Sequence, residues 1–226
     1  MAPGDWYAVC RMDACGCDDR FSIFDRRTAE GDRDRYRRNG PDRTTRLLLE
    51  LVRPYVSVGS TVLDVGGGIG VIDHELLRAG AGHAVLADAS PAYLEVARQE
   101  ARRANLLDRL EFLDGDFVVR ASEIDAADIV TLDRVVCCYP DAEALVATSA
   151  VRARRVYGLV LPRDRLLARL AVRLLNIGPW LRRSGYRAYV HPQDLVERLV
   201  EGAGLRRVAE SGTIFWRVVV YERPAG

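Results

Sequence analysis

The sequence predicts an α/β fold, with a mostly parallel β-sheet covered by helices on both faces. Three observations predict it. Between residues 61 and 161, short apolar runs alternate with helical stretches, which is typical of parallel strands joined by helical crossovers. The first apolar run breaks into a glycine-rich turn, Asp64-Val65-Gly66-Gly67-Gly68-Ile69-Gly70. The last two strand-like runs follow each other directly, which predicts an antiparallel hairpin at the sheet edge.

The elements follow in order along the chain. Residues 21–38 are charged and helical in character, and Asp42 or Thr44 is suited to cap a helix that ends at Pro54. The predicted strands cover residues 61–65, 84–88, 109–113, 128–133, 155–161, 205–210 and 213–222. The predicted helices between them cover residues 71–79, 91–104 and 141–150. Ser211-Gly212 is the predicted hairpin turn. We expect a tail and helical cap at residues 1–43 and one main domain at residues 44–226.

The glycine turn restricts the class of ligand. A dinucleotide fingerprint needs a third glycine where this chain has Val71. A phosphate-binding Walker loop needs a lysine, and all 33 basic residues are arginine. The acid at the mouth of the turn, Asp64, suits a cationic ligand better than a phosphate.

Further acids follow the next two strands. Asp88 ends the second strand, eighteen positions after Gly70, close to where a nucleotide-binding fold of this kind has its ribose-binding carboxylate. The third strand is followed by the segment Asp114-Gly115-Asp116-Phe117. Three acids that each end a strand predict one polar site at the carboxyl edge of the sheet.

The pattern acid-x-Gly-x-Gly-x-Gly, with the acids downstream, resembles the class I S-adenosylmethionine-dependent methyltransferases over residues 44–222. The resemblance implies a Rossmann-like, seven-stranded sheet with S-adenosylmethionine as the cofactor. It implies that Asp88 binds the ribose, Asp116 accepts from the adenine amine and Phe117 lies beside the ring. The residues assigned to the cofactor are Asp64, Gly66, Gly67, Gly68, Gly70, Asp88, Ala89, Asp116, Phe117 and Asp133.

Shorter segments resemble the magnesium-protoporphyrin O-methyltransferases. They are Cys138-Tyr139-Pro140, residues 186–191 and Phe215-Trp216. Cys138 stands where those enzymes have a histidine, so the resemblance leaves the substrate unassigned. Cys138 and Tyr139 are predicted to line the pocket of the methyl acceptor.

Methyl transfer from a sulfonium is an in-line displacement, for which alignment in a dry pocket supplies most of the acceleration. A carboxylate acceptor needs no base, whereas an alcohol, phenol or amine does. Tyr36, Asp133 and His191 are the candidate bases, and each has a structural alternative, as a helix aromatic, a strand cap or a helix cap. We expect methyl transfer to a small molecule, with oxygen as the first choice of acceptor atom. An RNA-modifying methyltransferase and a noncatalytic cofactor-binding regulator remain as alternatives.

Residues 162–192 form a substrate-side insertion in which leucines and arginines each repeat at helical spacing. One interpretation is a helix that packs its leucines on the core and exposes a basic face. The other is a lid over the substrate or a helix on a membrane surface.

Composition excludes several other classes. A net charge of +1 favours no nucleic-acid partner. No window resembles a membrane-spanning helix, and acids interrupt the N-terminus where a signal peptide would be apolar, so we expect a cytoplasmic protein. Cys10, Cys15 and Cys17 lack a second pair of ligands at zinc-site spacing, and we expect no metal.

Overall fold

The computed structural model describes residues 23–181 and 185–224, and they are built around one seven-stranded sheet. The strands are β1 Thr61–Val65, β2 His83–Asp88, β3 Leu110–Asp114, β4 Ala127–Asp133, β5 Ala153–Pro162, β6 Arg206–Gly212 and β7 Trp216–Glu222. Their order is β3-β2-β1-β4-β5-β7-β6. Strands β1 to β5 pair in parallel, whereas β7 is antiparallel to both β5 and β6. The predicted fold class is confirmed.

Helices cover both faces of the sheet. They are α1 Arg26–Asn39, α2 Arg43–Val52, α3 Val71–Arg78, α4 Pro91–Arg103, α5 Phe117–Arg120, α6 Ala142–Ala150, α7 Leu166–Leu175, α8 Ile177–Leu181 and α9 Gln193–Gly202. Buried side chains of α2, α3 and α4 form the core on one face, and those of α5, α6 and α9 form it on the other. Asp42 caps α2 by accepting from the Thr44 and Thr45 amides, as expected for an aspartate before a helix.

The C-terminal hairpin turns later than predicted. Strand β6 continues through Gly212, and the Thr213 N–H donates to the Trp216 carbonyl oxygen at 2.8 Å. The Trp216 amide donates in return to the Thr213 hydroxyl at 2.9 Å. These two hydrogen bonds close the turn around Ile214 and Phe215. The turn therefore lies about three residues later in the chain than the predicted turn at Ser211-Gly212, and that prediction is wrong.

Helix α1 covers the carboxyl edge of the sheet beside α4. Arg37 forms an ion pair with the buried Glu100 of α4. The Phe24 ring meets the Tyr93 ring edge-on, with 6.0 Å between centroids. Residues of the predicted cap therefore pack on the main domain. The cysteines at 10, 15 and 17 lie outside the described residues.

The insertion differs from the simpler expectation. Leu166, Leu170 and Leu174 of α7 are 83%, 54% and 59% exposed, and the side chains that pack inward are Ala168 and Val172. For these three leucines, the expectation that they pack on the core is wrong. In the part of the chain that the structure describes, no helix has the length and apolar character needed to cross a membrane.

Candidate functional site

The glycine turn between β1 and α3 approaches its neighbours too closely for side chains. A Cβ on Gly67 would lie 2.8 Å from both Asp64 Oδ2 and Leu86 Cγ. Gly66 has a φ of 66°, in the left-handed region, and a Cβ there would lie 2.5 Å from Val135. This packing requires glycine at both positions, and the backbone of Gly66 to Gly68 lines the cavity at the carboxyl edge of β1; we call it the glycine cradle. Gly70 is the N-cap residue of α3. Its φ of 80° lies in the left-handed region, which favours glycine.

Two buried carboxyl groups lie beneath this cradle. Asp64 Oδ1 accepts from the Thr131 hydroxyl at 2.6 Å. Asp64 Oδ2 and both Asp73 oxygens are buried with no donor against them. Burial and the mutual proximity of the two acids raise the pKa of Asp64, and burial raises the pKa of Asp73 to about 7. Two carboxyl groups placed this close cannot both be ionised at little cost, so they share a proton unless a cation binds beside them.

Asp88 holds the turn from the end of β2. Its Oδ2 accepts from the Gly68 N–H at 2.9 Å, and its Oδ1 accepts from the Ser90 N–H at 2.8 Å. Burial raises the Asp88 pKa to about 6. Each carboxylate oxygen keeps a further lone pair for a ligand hydroxyl.

Asp116 and Phe117 lie at the end of β3, where Asp116 caps α5 by accepting from the Val118 amide. The Tyr139 hydroxyl lies 2.9 Å from both Asp116 oxygens and donates to them. Phe117 is 5% exposed and lines the same cavity. Tyr139 therefore joins the Asp116 end of the cavity, although the sequence predicted it at the acceptor end.

Asp133 ends β4 within a network of charges. Its Oδ1 accepts from Arg134 Nε at 3.0 Å, and its Oδ2 accepts from the Thr45 hydroxyl. Arg134 also forms a 2.6 Å ion pair with Asp42 and has a φ of 62°, which is uncommon for a residue with a side chain. Burial raises the Asp133 pKa, against the opposing charge of Arg134. The residues of this network reach the cavity from two elements that are far apart in sequence.

Tyr36 extends from α1 into the cavity. Its hydroxyl donates to Glu75 Oε1 at 3.0 Å and accepts from Arg78 at 3.0 Å. Burial raises the pKa of Tyr36, so its hydroxyl is neutral at physiological pH.

The remaining predicted residues lie on or behind one wall. Cys138 lines the cavity, with its Sγ 3.7 Å from Cys137 Sγ and 3.4 Å from the Tyr186 hydroxyl. Hydrogen bonding from Cys137 lowers the Cys138 pKa to about 7. His191 is outside the lining, with its Nε2 3.0 Å from the Tyr139 carbonyl oxygen, and burial lowers its pKa.

Of the predicted site residues, all but Gly70 and His191 line one cavity of about 420 Å³. Sequence reasoning missed a group of its lining residues, which are Phe24, Asp32, Arg35, Asn39, Arg46 and Tyr93. Most belong to the helices before β1 and carry no motif. Tyr93 could have been found from the sequence, because Ser90 predicts a helix start and so places Tyr93 in the first turn of α4, beside the end of β2. Its ring contacts the position of Gly68, and its hydroxyl donates to Asp32 at 2.6 Å.

The residues fit S-adenosylmethionine. Gly66, Gly67 and Gly68 line the cavity, and the Asp64 carboxyl group beside them, with its Oδ2 lacking a donor, suits a ligand with an ammonium and a sulfonium. Asp88 and Asp116 offer acceptors at two further points of the same cavity. Fold and site together define a class I S-adenosylmethionine-dependent methyltransferase domain.

Comparison with known proteins agrees with this class. Residues 62–156 match the model of a methyltransferase domain family. Ribosomal protein L11 methyltransferase of Pelotomaculum thermopropionicum is 31% identical over 116 residues, which are 50% of this chain and 37% of that protein. The protein of the same name from Pelobacter propionicus is 35% identical over 105 residues, 41% of this chain and 34% of that protein. The chain therefore spans less than half the length of these curated relatives.

Solved structures match over most of the chain. Magnesium protoporphyrin IX methyltransferase from Synechocystis PCC 6803, with bound S-adenosylhomocysteine, has a TM-score of 0.67 and 21% identity, covering 90% of this chain and 99% of that one. An O-methyltransferase family protein from Burkholderia thailandensis has a TM-score of 0.63 and 20% identity, covering 90% and 64%. At these identities the likeness shows the fold. The predicted family resemblance and cofactor are confirmed at the level of the class.

Proposed function

We propose that this protein transfers the methyl group of S-adenosylmethionine to an oxygen atom of a small molecule. The observation that carries the proposal is the single cavity, in which the glycine cradle and its acids face a wall made by α1 and α2. A volume of about 420 Å³ is within the range of small-molecule sites. Three of the similar structures are named O-methyltransferases, and these names support oxygen as the acceptor atom.

Each of three acidic side chains contacts a different part of the cofactor in this proposal. Asp88 binds the ribose hydroxyls, because its oxygens are already oriented by two backbone amides. Asp64 faces the positive end of the cofactor, and Asp116, held by Tyr139, faces the adenine beside Phe117. S-adenosylmethionine supplies a methyl group that its sulfonium activates for displacement.

The acceptor lies against the wall of α1 and α2. Arg35, Arg46 and Tyr36 line this wall, and guanidinium groups suit an acceptor that carries a carboxylate. Their part is to orient the acceptor oxygen and to exclude water.

Asp133 is the base that we favour for a hydroxyl acceptor. It lines the cavity, and burial raises its pKa toward the working range of a general base. Tyr36 is less suited, because its raised pKa keeps the hydroxyl protonated. His191 has no place in the lining, so we assign it to fixing residues 186–191 against Tyr139. A carboxylate acceptor would make Asp133 dispensable for proton removal.

Labelled S-adenosylmethionine with fractionated cell extract tests the proposal. We expect label in the low-molecular-weight fraction, in a product whose mass rises by one methyl group. Release of the label by mild alkali would identify a methyl ester. For an alkali-resistant product, the ¹³C chemical shift of a ¹³C-labelled methyl group would separate an ether from a methyl group on nitrogen, sulfur or carbon, and any of the last three would overturn the oxygen acceptor. Label only in RNA or protein would overturn the small-molecule acceptor, and tight binding of S-adenosylhomocysteine with no transfer to any fraction would favour the regulatory alternative.

The variant Asp133→Asn distinguishes the two kinds of oxygen acceptor. With a hydroxyl acceptor we expect kcat to fall by about 10²–10⁴-fold, the usual contribution of a general base. With a carboxylate acceptor kcat should change little. Circular dichroism and the thermal melting temperature of the variant are the controls for folding.

A further inference from the structure

The surface of α7 and α8 carries an unusual density of exposed apolar side chains. Seven of them lie within sixteen residues, each about half exposed or more: Leu166, Leu170, Leu174, Leu175, Ile177, Trp180 and Leu181. Scattered exposed apolar residues need no explanation, but a contiguous group marks a contact surface. We call these seven residues the α7–α8 surface.

The rows of α7 show which way this surface faces. Ala168 and Val172 are buried and fix the inward side of the helix. Leu166, Leu170 and Leu174, two residues from each of these along the chain, point away from the body of the protein, because two residues correspond to about 200° of rotation. The leucine row is therefore available to a partner, while the small residues hold the helix on the domain.

Charge accompanies the leucines. Arg169 and Arg173 each precede a leucine by one residue, so they lie about 100° around α7 from the leucine row, and Arg165 is the residue just before the helix. Arg169 forms a 2.6 Å ion pair with Asp164. In the sequence, residues 162–192 contain seven arginines and one aspartate, whereas the whole chain has a net charge of only +1. Positive charge is thus concentrated in the segment that carries the exposed leucines, and the rest of the chain is acidic.

We propose that the α7–α8 surface binds the surface of an anionic lipid membrane. Leucines on one side, arginines along their border and a tryptophan are the features of helices that lie in the membrane interface. The arginine stems can extend beside the leucines while the guanidinium groups reach the headgroups. Ten residues of α7 and five of α8 are fewer than the roughly 20 needed to cross a bilayer, so the helices lie along it.

The surface is also connected to the cavity. Asn176, between α7 and α8, exchanges two 2.8 Å hydrogen bonds with the backbone of Ala188. The next residue, Tyr189, donates its N–H to the Cys137 carbonyl oxygen at 2.7 Å, beside the cavity-lining Cys138. A membrane-bound α7–α8 surface would hold this wall of the cavity close to the lipid.

Vesicle co-sedimentation of the full chain tests the proposal. We expect binding to vesicles of phosphatidylcholine and phosphatidylglycerol in equal parts, weak binding to phosphatidylcholine alone, and loss of binding as salt is raised. The double variant L170E/L174E should lower the partition coefficient by at least about tenfold, because each leucine loses its apolar burial. The matched control is V58E/V151E, which adds the same charge at exposed valines elsewhere and should bind as the wild type.

A second pair of measurements keeps the test informative if L170E/L174E fails to fold. R165Q/R173Q should weaken binding by about fivefold for each arginine at low salt, with S-adenosylhomocysteine binding unchanged. Brominated lipids should quench Trp180 fluorescence, and W180F, in which Trp6 and Trp216 are the remaining tryptophans, should lose that quenching.

Two results would overturn the proposal. One is equal binding of L170E/L174E and V58E/V151E, or no preference for phosphatidylglycerol. The other is a wild-type dimer by light scattering that L170E/L174E converts to a monomer, with no vesicle binding, which would assign the surface to a second copy of the chain.

Discussion

Replacing Asp88 by alanine is expected to weaken S-adenosylhomocysteine binding by about 1.5–3 kcal/mol, the contribution of hydrogen bonds to a charged group. That corresponds to a Kd roughly 10- to 150-fold higher. The loss has two parts. The ribose hydroxyls lose their acceptor, and the Gly68 and Ser90 amides, 2.9 and 2.8 Å from the carboxylate, lose the group that orients the turn.

The pH dependence of binding gives a second, independent readout. Burial raises the pKa of Asp88 to about 6, so the carboxylate takes up a proton as the pH falls below that value. A ligand that needs the ionised form therefore binds more weakly at low pH, by about tenfold for each unit below pH 6. Asp64 and Asp73 also titrate beside the turn, so the informative quantity is the difference between the wild type and D88A.

Isothermal titration calorimetry from pH 5 to pH 8 measures both effects. We expect the low-pH weakening assigned to Asp88 to be absent in D88A. The matched control is Asp114→Ala, because Asp114 pairs with Asp88 in the sheet without receiving the Gly68 amide. Equal affinity of D88A and the wild type at pH 7.5 would refute the ribose-binding role.

Three further changes have expected outcomes. Gly67→Ala should lower the free energy of unfolding by about 1–3 kcal/mol, because its Cβ would lie 2.8 Å from Asp64 Oδ2 and from Leu86 Cγ; urea unfolding measures it, and an unchanged midpoint would contradict the close packing. Burial raises the pKa of Asp73 from its ordinary 3.8 to about 7, so the folded state keeps a proton that the unfolded chain releases, and the ligand-free protein should lose stability between about pH 4 and pH 7. Asp73→Asn should flatten that slope and raise the free energy of unfolding at pH 8 by about 1–3 kcal/mol; thermal melting across this range checks it, and a slope equal to the wild type's would exclude Asp73 as its source. Cys138, with its pKa lowered from 9.0 to about 7, should react with iodoacetamide with a midpoint near pH 7 by peptide mass spectrometry, faster than Cys137; equal rates would show that the two thiols are not distinguished.

The alternation of strands and helices and the acids near the strand ends predicted the part of the site that lies at the ends of β1, β2 and β3. Asp64, Asp88 and Asp116 lie within two residues of the ends of β1, β2 and β3. Because parallel strands bring their carboxyl ends to one edge, their positions in the sequence also predicted their positions in space. Apolar alternation similarly predicted β1 through β5 to within about two residues at each end. The role of each acid toward the cofactor stays a prediction until the binding experiments are done.

The other half of the site depends on contacts between distant segments. Tyr36 meets Glu75, and Thr45 meets Asp133, pairs whose separation in the chain leaves no local pattern. Tyr139 was predicted for the acceptor pocket, and its hydroxyl lies 2.9 Å from Asp116 Oδ1, a contact that no local pattern predicted. Spacing along a chain contains no information about such side-chain directions.

By itself, the sequence determined the sheet and the glycine turn, because these follow from periodicity and from glycines at the end of a strand, and the resemblance of that turn to the class I methyltransferase motif implied the class of cofactor. Only the tertiary structure decided which face of α7 is exposed. Leucines at helical spacing are compatible with burial or exposure. The small side chains of Ala168 and Val172 allow close packing on the domain, and that contact turns the leucines outward.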